Sequence, residues 1–386
     1  MPEMTEDNLA PCPNRKLFPV ALELFLLHSL VFVMAVLWGG TLLPENFHGQ
    51  FFQTFSNPFT RGLHNFDAGW YLKIATHGYT RLSIVFFPLF PLLIRGLDRI
   101  LPLAPLAAGL LLANLSFLAA IYLFLLLLRE DGFPDDTARR AALFLALFPT
   151  GLFFSAVYTE SLFLALTLAA FLCARRQQWL AACLLAGLTA LTRNPGILLL
   201  PALGWEYLAQ KKERGERLDV QVLYLALVPV LFATFLLYQK VHFGDPLAFV
   251  HTDSVATWGR LTTVPGWPIV LTLKDLVHPH FVYWWTAQLD DFLFAIFAFI
   301  LLVLGAKSLR QSYLLYGALS FLMPLSTYIK YEPLTSMPRY IIVLFPLYIV
   351  LAQKARTSRA QLFLVVLFSS LLLLFTVLYI NTYWVA

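Results

Sequence analysis

Apolar runs long enough to cross a lipid bilayer recur from one end of this 386-residue chain to the other. Residues 17–38 read LFPVALELFLLHSLVFVMAVLW, residues 106–128 LAAGLLLANLSFLAAIYLFLLLL, and residues 362–380 LFLVVLFSSLLLLFTVLYI. A helix needs roughly 20 residues to cover about 30 Å of hydrocarbon. With 59% hydrophobic and only 13% charged residues, and a mean hydropathy of +0.73, one water-soluble core cannot hide so much apolar surface. The expected fold class is all-α, a polytopic membrane protein forming a single integral domain over residues 1–386.

Basic residues orient the crossings, since short loops rich in Lys and Arg stay cytoplasmic. The clusters at 15–16, 129–140, 175–178, 211–217, 307–310 and 354–359 hold more than half of the 27 Lys and Arg residues. With all of them inside, an even number of crossings separates consecutive clusters. Helices are then expected near 17–38, 104–128, 141–156, 158–174, 179–193, 195–210, 219–240, 291–306, 312–329, 339–353 and 360–381. That makes eleven crossings. The stretch 179–210 reads as two helices rather than one long tilted one, because Pro195 and Gly196 interrupt it. The first helix, behind Arg15 and Lys16, reads as an uncleaved signal anchor. VFFPLFPLLIRGLDRIL (85–101) suits an interfacial helix.

This assignment leaves the remaining polar stretches on the extracytoplasmic side, including two long segments at 39–103 and 241–290 that carry short helices. The inner loops look like orientation signals. Asp67, among Phe66, Trp70, Tyr71 and Tyr79, has the setting of a partly desolvated proton acceptor. It equally suits the N-cap of the helix that follows. The aromatics read as an interfacial belt before a sugar platform. Glu160 in AVYTES joins two short apolar runs, where a carboxylate is costly unless paired or wet. It is a functional-site candidate, with a structural ion pair to an Arg as the alternative. Arg193, Lys330 and Arg339 are cations on the same face and suit a phosphate, although Lys330 reads first as a headgroup anchor.

Cys12, Cys173 and Cys183 show no CxxC or zinc spacing, so neither redox chemistry nor structural zinc is expected. Six histidines fall outside (His64, His77, His242, His251, His278, His280) without HExxH or related spacing, which disfavours a divalent metal. P-loop, GxGxxG and GxSxG patterns are absent from the sequence, which removes the usual support for ATP-driven transport and serine hydrolysis. No cofactor and no nucleic-acid partner are expected.

FDAGWYLKIATHGY (66–79), FFPLFPLLIR (86–95), YTESLF (158–163), LTRNPGILLLP (191–201), FGDPLAFV (243–250) and SMPRYIIVLFPLYIVLA (336–352), taken in order, resemble the PIG-V family of mannosyltransferases, in the GT-C class of membrane glycosyltransferases. The resemblance covers about residues 60–355. It implies GT-C architecture and transfer of mannose from a lipid-phosphate-mannose donor to a hydroxyl of a lipid-linked acceptor, outside the cytoplasm. In GT-C enzymes an acid of the first external loop is the usual catalytic base, and the matching position is Asp67. Where the family commonly shows Trp-Asp, this chain has Phe66 before Asp67, which keeps an aromatic. The short loops suit a bacterial relative at the plasma membrane; a eukaryotic one would sit in the endoplasmic reticulum.

On that resemblance Asp67 takes the acceptor's proton in an inverting displacement, while Arg193 and Arg339 stabilise the leaving phosphate. Glu160 positions the acceptor or a cationic partner. His251 and Asp253 are the residues of the second loop placed to close over the sugar, with ordinary loop packing as the alternative. His64, Trp70, Tyr71 and Tyr158 complete the expected substrate-binding set. The expected partners are the lipid-phosphate-sugar donor, the lipid-linked acceptor and membrane lipids. Two other classes stand beside this reading: a transporter or flippase of a lipid-linked sugar, and a non-catalytic subunit of a glycosyltransferase complex.

Overall fold

A computed structural model describes residues 17–42, 62–254, 258–277, 282–329 and 332–386. The described chain is almost entirely helical, with helices α1 (Leu17–Leu42), α2 (Asp67–His77), α3 (Leu89–Ile100), α4 (Pro105–Glu130), α5 (Asp135–Ala146), α6 (Glu160–Arg175) and α7 (Trp179–Ala190). There follow α8 (Leu199–Glu213), α9 (Leu227–Phe243), α10 (Trp267–Val277), α11 (Val282–Gly305), α12 (Gln311–Leu322), α13 (Phe345–Lys354) and α14 (Ser358–Ile380), with shorter helical turns between. Among the described residues the only sheet pairs β1 (Arg260–Thr262) antiparallel with β2 (Thr327–Ile329), Arg260 facing Ile329.

Among the described residues, five helical spans are long and apolar enough to cross a membrane: Leu17–Gly39, Pro105–Glu130, Val220–Phe243, Ala287–Gly305 and Ser358–Ile380. Their outward residues are themselves apolar: Leu26, Leu30, Leu115, Leu237, Phe299, Leu362 and Phe363 are all exposed, as a lipid-facing surface requires. The other apolar segments are shorter or broken, three of them at prolines that the expected crossings ran through. Between α5 and α6, Pro149 and Gly151 interrupt the run expected at 141–156, leaving only the turn Leu152–Ser155. The run expected at 312–329 stops at Leu322, before Pro324, and continues as β2. The run expected at 339–353 divides into Met337–Ile341 and α13, which opens on Pro346. The first long segment supplies α2 and the amphipathic α3; the second supplies Ala248–Ser254, β1 and α10.

The core is a continuous packing of Phe, Leu, Ala and Tyr side chains in which α4 and α6 lie side by side and α7 turns back along α6. α1 and α14 end together, where the Asn381 side chain donates to the Gly39 carbonyl at 2.8 Å. That shared end forms the floor beneath the turn Gly62–His64. A Cβ on Gly62 would come within 2.5 Å of the Ile380 backbone, so only glycine lets the 62–66 turn lie against α14.

Candidate active site

Asp67 opens α2 and follows a strained residue: Phe66 has φ +54° and ψ −127°, a conformation that costs on the order of 1–3 kcal/mol in a non-glycine residue. Neighbours hold it there. The buried Asn65 side chain donates to the Tyr379 carbonyl at 3.1 Å, and the backbone carbonyl of Asn65 accepts from the Tyr379 hydroxyl at 3.2 Å. The Phe66 ring packs edge-on against Trp384. No side-chain cap bond closes the start of α2. The N-cap reading of Asp67 therefore gives way: its carboxylate is turned toward a residue 272 positions later in the chain.

That residue is Arg339, whose Nη1 donates to Asp67 Oδ2 at 2.6 Å and whose Nε donates to Glu160 Oε1 at 2.8 Å. Nη1 of Arg193 lies 2.5 Å from the same Glu160 oxygen, an ionic contact outside hydrogen-bonding angle. Glu160 is wholly buried at the start of α6, where the helix dipole favours a carboxylate. Arg339 is nearly as deep, with 9% of its side chain exposed, while 24% of the Asp67 side chain remains open. The guanidinium of Arg339 lies 4.7 Å from the Tyr158 ring centroid and 5.2 Å from that of Phe153, so aromatic faces solvate the flanks that the acids leave bare. Arg339 rides on the five-residue helix Met337–Ile341, introduced by Ser336 in the left-handed conformation at φ +64°. The two arms of the Asp67–Arg339 pair are thus each delivered by a backbone position that an L-residue seldom adopts.

Arg193 stands between α7 and α8, where the break at Pro195 and Gly196 predicted from sequence is realised as a 3₁₀ turn, Asn194–Leu198. A Cβ on Gly196 would come within 2.4 Å of the Ala190 and Thr189 backbone. Glycine lets the chain double back there and turn Arg193 toward Glu160.

A cavity of about 210 Å³ opens at this cluster. Asp67, Arg193, Arg339 and Arg260 line it, with Thr192 and Asn194 as neutral polar groups and Tyr71, Phe86, Phe87, Trp258, Tyr340 and Trp384 as aromatic walls. Burial beside Asp67 and Glu160 pushes the Tyr71 phenol above its ordinary range, so it stays neutral. Asp67 Oδ1 accepts no hydrogen bond from the described residues.

Of the residues expected from sequence, Asp67, Tyr71, Arg193 and Arg339 line this cavity, with Glu160 and Tyr158 directly behind Arg339. Trp70 forms an outer layer, stacked on Phe86 and edge-on to Trp258. Tyr79 donates to the Phe86 carbonyl at 2.7 Å and packs on Phe235 and Tyr238, a packing role. His64, in the turn Gly62–His64, is not part of the wall. Nor is the exposed His251, whose Nδ1 lies 2.6 Å from Asp245 Oδ2 and whose hydrogen bond holds the Asp245 carboxyl below the usual carboxylate range. The side chain of Asp253, together with Lys330, His278 and His280, lies outside the described residues. Arg260, Trp258 and Trp384 were missed. Their sequence neighbourhoods carry no signal of convergence, because a strand pairing and a folded-back C-terminal tail bring them in.

Among the described residues no group of three or more His, Cys, Asp and Glu side chains converges as metal ligands would. No family model matches the chain, and comparison with curated proteins finds no match.

Proposed function

We propose that this protein is a multi-pass membrane mannosyltransferase of GT-C type, similar to the PIG-V family. On this reading it crosses the bilayer eleven times and works at the extracytoplasmic face. It moves mannose from a polyprenyl-phosphate-mannose donor to a hydroxyl of a lipid-linked acceptor. The observation that carries the reading is the state of Asp67: one carboxylate oxygen is held by Arg339, and the other accepts no hydrogen bond from the described residues, at a cavity walled by arginines and aromatic rings.

The chemistry follows from that geometry. The acceptor hydroxyl attacks the anomeric carbon and gives its proton to Asp67 Oδ1; the bond from that carbon to the phosphate oxygen breaks, and the lipid phosphate leaves with the electron pair. Attack opposite the leaving group inverts the anomeric configuration. A positioned base contributes roughly 10²–10⁴-fold. Negative charge developing on the leaving phosphate is stabilised by guanidinium groups already in place. The pair with Arg339 fixes the Asp67 rotamer, and Glu160 holds Arg339 from behind. Aromatic walls suit the apolar faces of a sugar ring, and a cavity of about 210 Å³ is small beside the roughly 300–1,000 Å³ of drug-sized pockets, as a site for one sugar unit would be.

Incubation of the purified protein with labelled polyprenyl-phosphate-mannose and a lipid extract of the native membrane tests this. A labelled lipid product that disappears with Asp67→Asn, while folding and donor binding persist, is the expected result. Donor bound but never consumed under any acceptor supply would refute catalysis.

A further inference from the structure

We infer that a second cavity, at the junction of α6, α7 and the 3₁₀ turn Val220–Ala226, binds a bilayer lipid with an uncharged sugar head. It stands apart from the transferase reading. Gln177 and Gln178 line it just past the far end of α6, so about 22 Å of helix separates it from Glu160. Its volume is about 470 Å³, within the roughly 300–1,000 Å³ of small-ligand sites. The 3₁₀ turn, which supplies Gln221 and Tyr224, opens the apolar span Val220–Phe243. The cavity therefore lies where that span meets the membrane boundary.

Its wall combines apolar side chains with hydrogen-bonding groups that the protein does not use. Leu180 and Leu184 line it and are exposed. Among the described residues, the side-chain amides of Gln177, Gln178 and Gln221, the Tyr224 hydroxyl and the Trp179 indole N–H make no hydrogen bond. Trp179 is otherwise buried, at 4% exposure, and buried polar groups are nearly always bonded.

The wall is also built. The Gln177 backbone N–H donates to the Ala174 carbonyl at 3.0 Å, and that of Gln178 to the Cys173 carbonyl at 2.8 Å. Such a pair of bonds closes a helix on a left-handed residue, usually glycine. Gln177 takes that position at φ +59°, so a side chain is kept beside the cavity where glycine would fit more easily. Tyr207 braces the two sides together. Its ring packs edge-on against Trp179, with centroids 4.9 Å apart, and its hydroxyl donates to Asp219 Oδ1 at 3.0 Å. The same oxygen accepts from the Gln221 backbone N–H at 2.8 Å.

These groups select the head. Among the described residues no charged side chain lines the cavity, and the arginines just before it in sequence, Arg175 and Arg176, are engaged by Asp131, Glu206 and Glu130. The wall thus offers a phosphate no cation. An amide presents a donor and an acceptor side by side, which matches adjacent sugar hydroxyls, and indole and phenol rings suit the apolar faces of a sugar. The exposed leucines and the adjoining apolar span fit acyl chains, so the occupant is a glycosyl diacylglycerol rather than a free sugar.

Calorimetric titration in a polyoxyethylene detergent, which carries no sugar, tests this with dioctanoyl galactosylglycerol, dioctanoylglycerol, dioctanoyl phosphatidic acid and methyl galactoside. The galactolipid is expected to bind most tightly. Gln177→Gly and Gln221→Leu are each expected to weaken it about two- to tenfold, the range for one neutral hydrogen bond. Gln177→Gly should do so with an unfolding midpoint at or above the parent's, because glycine suits the left-handed position, which separates lost binding from lost fold. Galactolipid affinity unchanged in both variants overturns the site. Dioctanoylglycerol or methyl galactoside bound as tightly as the galactolipid overturns the sugar-headed lipid, and tighter binding of phosphatidic acid overturns the uncharged head. A parent protein that binds none of the four overturns the inference and leaves the transferase reading standing.

Discussion

α6 buries ionic clusters at both of its ends, about 22 Å apart at 1.5 Å per residue, and they are built to different purposes. At the Arg175 end, Arg175 donates to Asp131 at 2.7 Å and to Glu206 at 3.0 Å. Glu206 also accepts from Gln210 at 2.7 Å, Ser312 at 2.6 Å and Arg310 at 3.1 Å, and Tyr313 closes the second Asp131 oxygen at 2.6 Å. Both acids are all but sealed, at 3% and 2% side-chain exposure. Every carboxylate oxygen there has a protein donor, and the network ties α4, α6, α8 and α12 together. At the Glu160 end the half-buried acid, Asp67, keeps one oxygen that accepts no hydrogen bond from the described residues, at a cavity. Buried charge alone does not mark a functional site; residual hydrogen-bonding capacity that faces a cavity does.

Substitutions at the two ends break or sharpen this contrast. The largest effect is expected at Asp67: if the proposed transferase activity holds, Asp67→Asn should lower product formation by about 10²–10⁴-fold, with little change in the unfolding midpoint measured in the same detergent. The reverse pattern is expected at the other end. Glu206→Ala should destabilise by about 3 kcal/mol, the low end for removing one partner of a buried pair, because Arg175 and Arg310 keep some solvent access. The surviving folded fraction should retain its turnover per molecule. An Asp67→Asn variant that unfolds, or a Glu206→Ala variant that folds well but is inactive, would erase the distinction.

A smaller effect, of predictable sign, is expected at Glu332. Its folded-state pKa of about 7 lies above the ordinary carboxylate value, with burial as the leading cause. Stability from the neutral carboxyl is therefore fully present below about pH 4.5 and lost as pH rises through about 7. Glu332→Gln, which keeps an oxygen for the Trp384 indole, should stabilise the protein at pH 8 by on the order of 2 kcal/mol and leave it unchanged near pH 4. A gain independent of pH would show that the ionised carboxylate is not the source. The smallest effect is expected at Lys211, whose contacts to Glu216 and Asp219 lie on the surface; Lys211→Met should leave the unfolding midpoint unresolved from the parent.

Much of the site was legible because an ion in an apolar stretch is anomalous in itself. Glu160, Arg193 and Arg339 each interrupt hydrophobic sequence, and each sits in the cluster. Glu206, in LGWEYLAQ, interrupts a helix in the same way and was passed over, as were Arg175 and Arg310, read only as orientation signals. They are also the braces of the opposite end. Arg260 was invisible because nothing local distinguishes an arginine in a polar loop, and its place comes from strand pairing with residues 327–329.

Composition and local pattern were sufficient for the long apolar helices and for the break at Pro195; Pro149, Pro324 and Pro346 also break or restart helices close to where they stand, although the expected runs 141–156, 312–329 and 339–353 passed through them. Those are short-range effects, decided within a few turns of chain. Which acid meets which arginine was decided only in the tertiary structure. Glu160 and Arg339 are 179 residues apart, and Asp67 and Arg339 are 272 apart; the energy of such a pair depends on separation in space and on the medium between the groups, and neither is encoded by spacing along the chain.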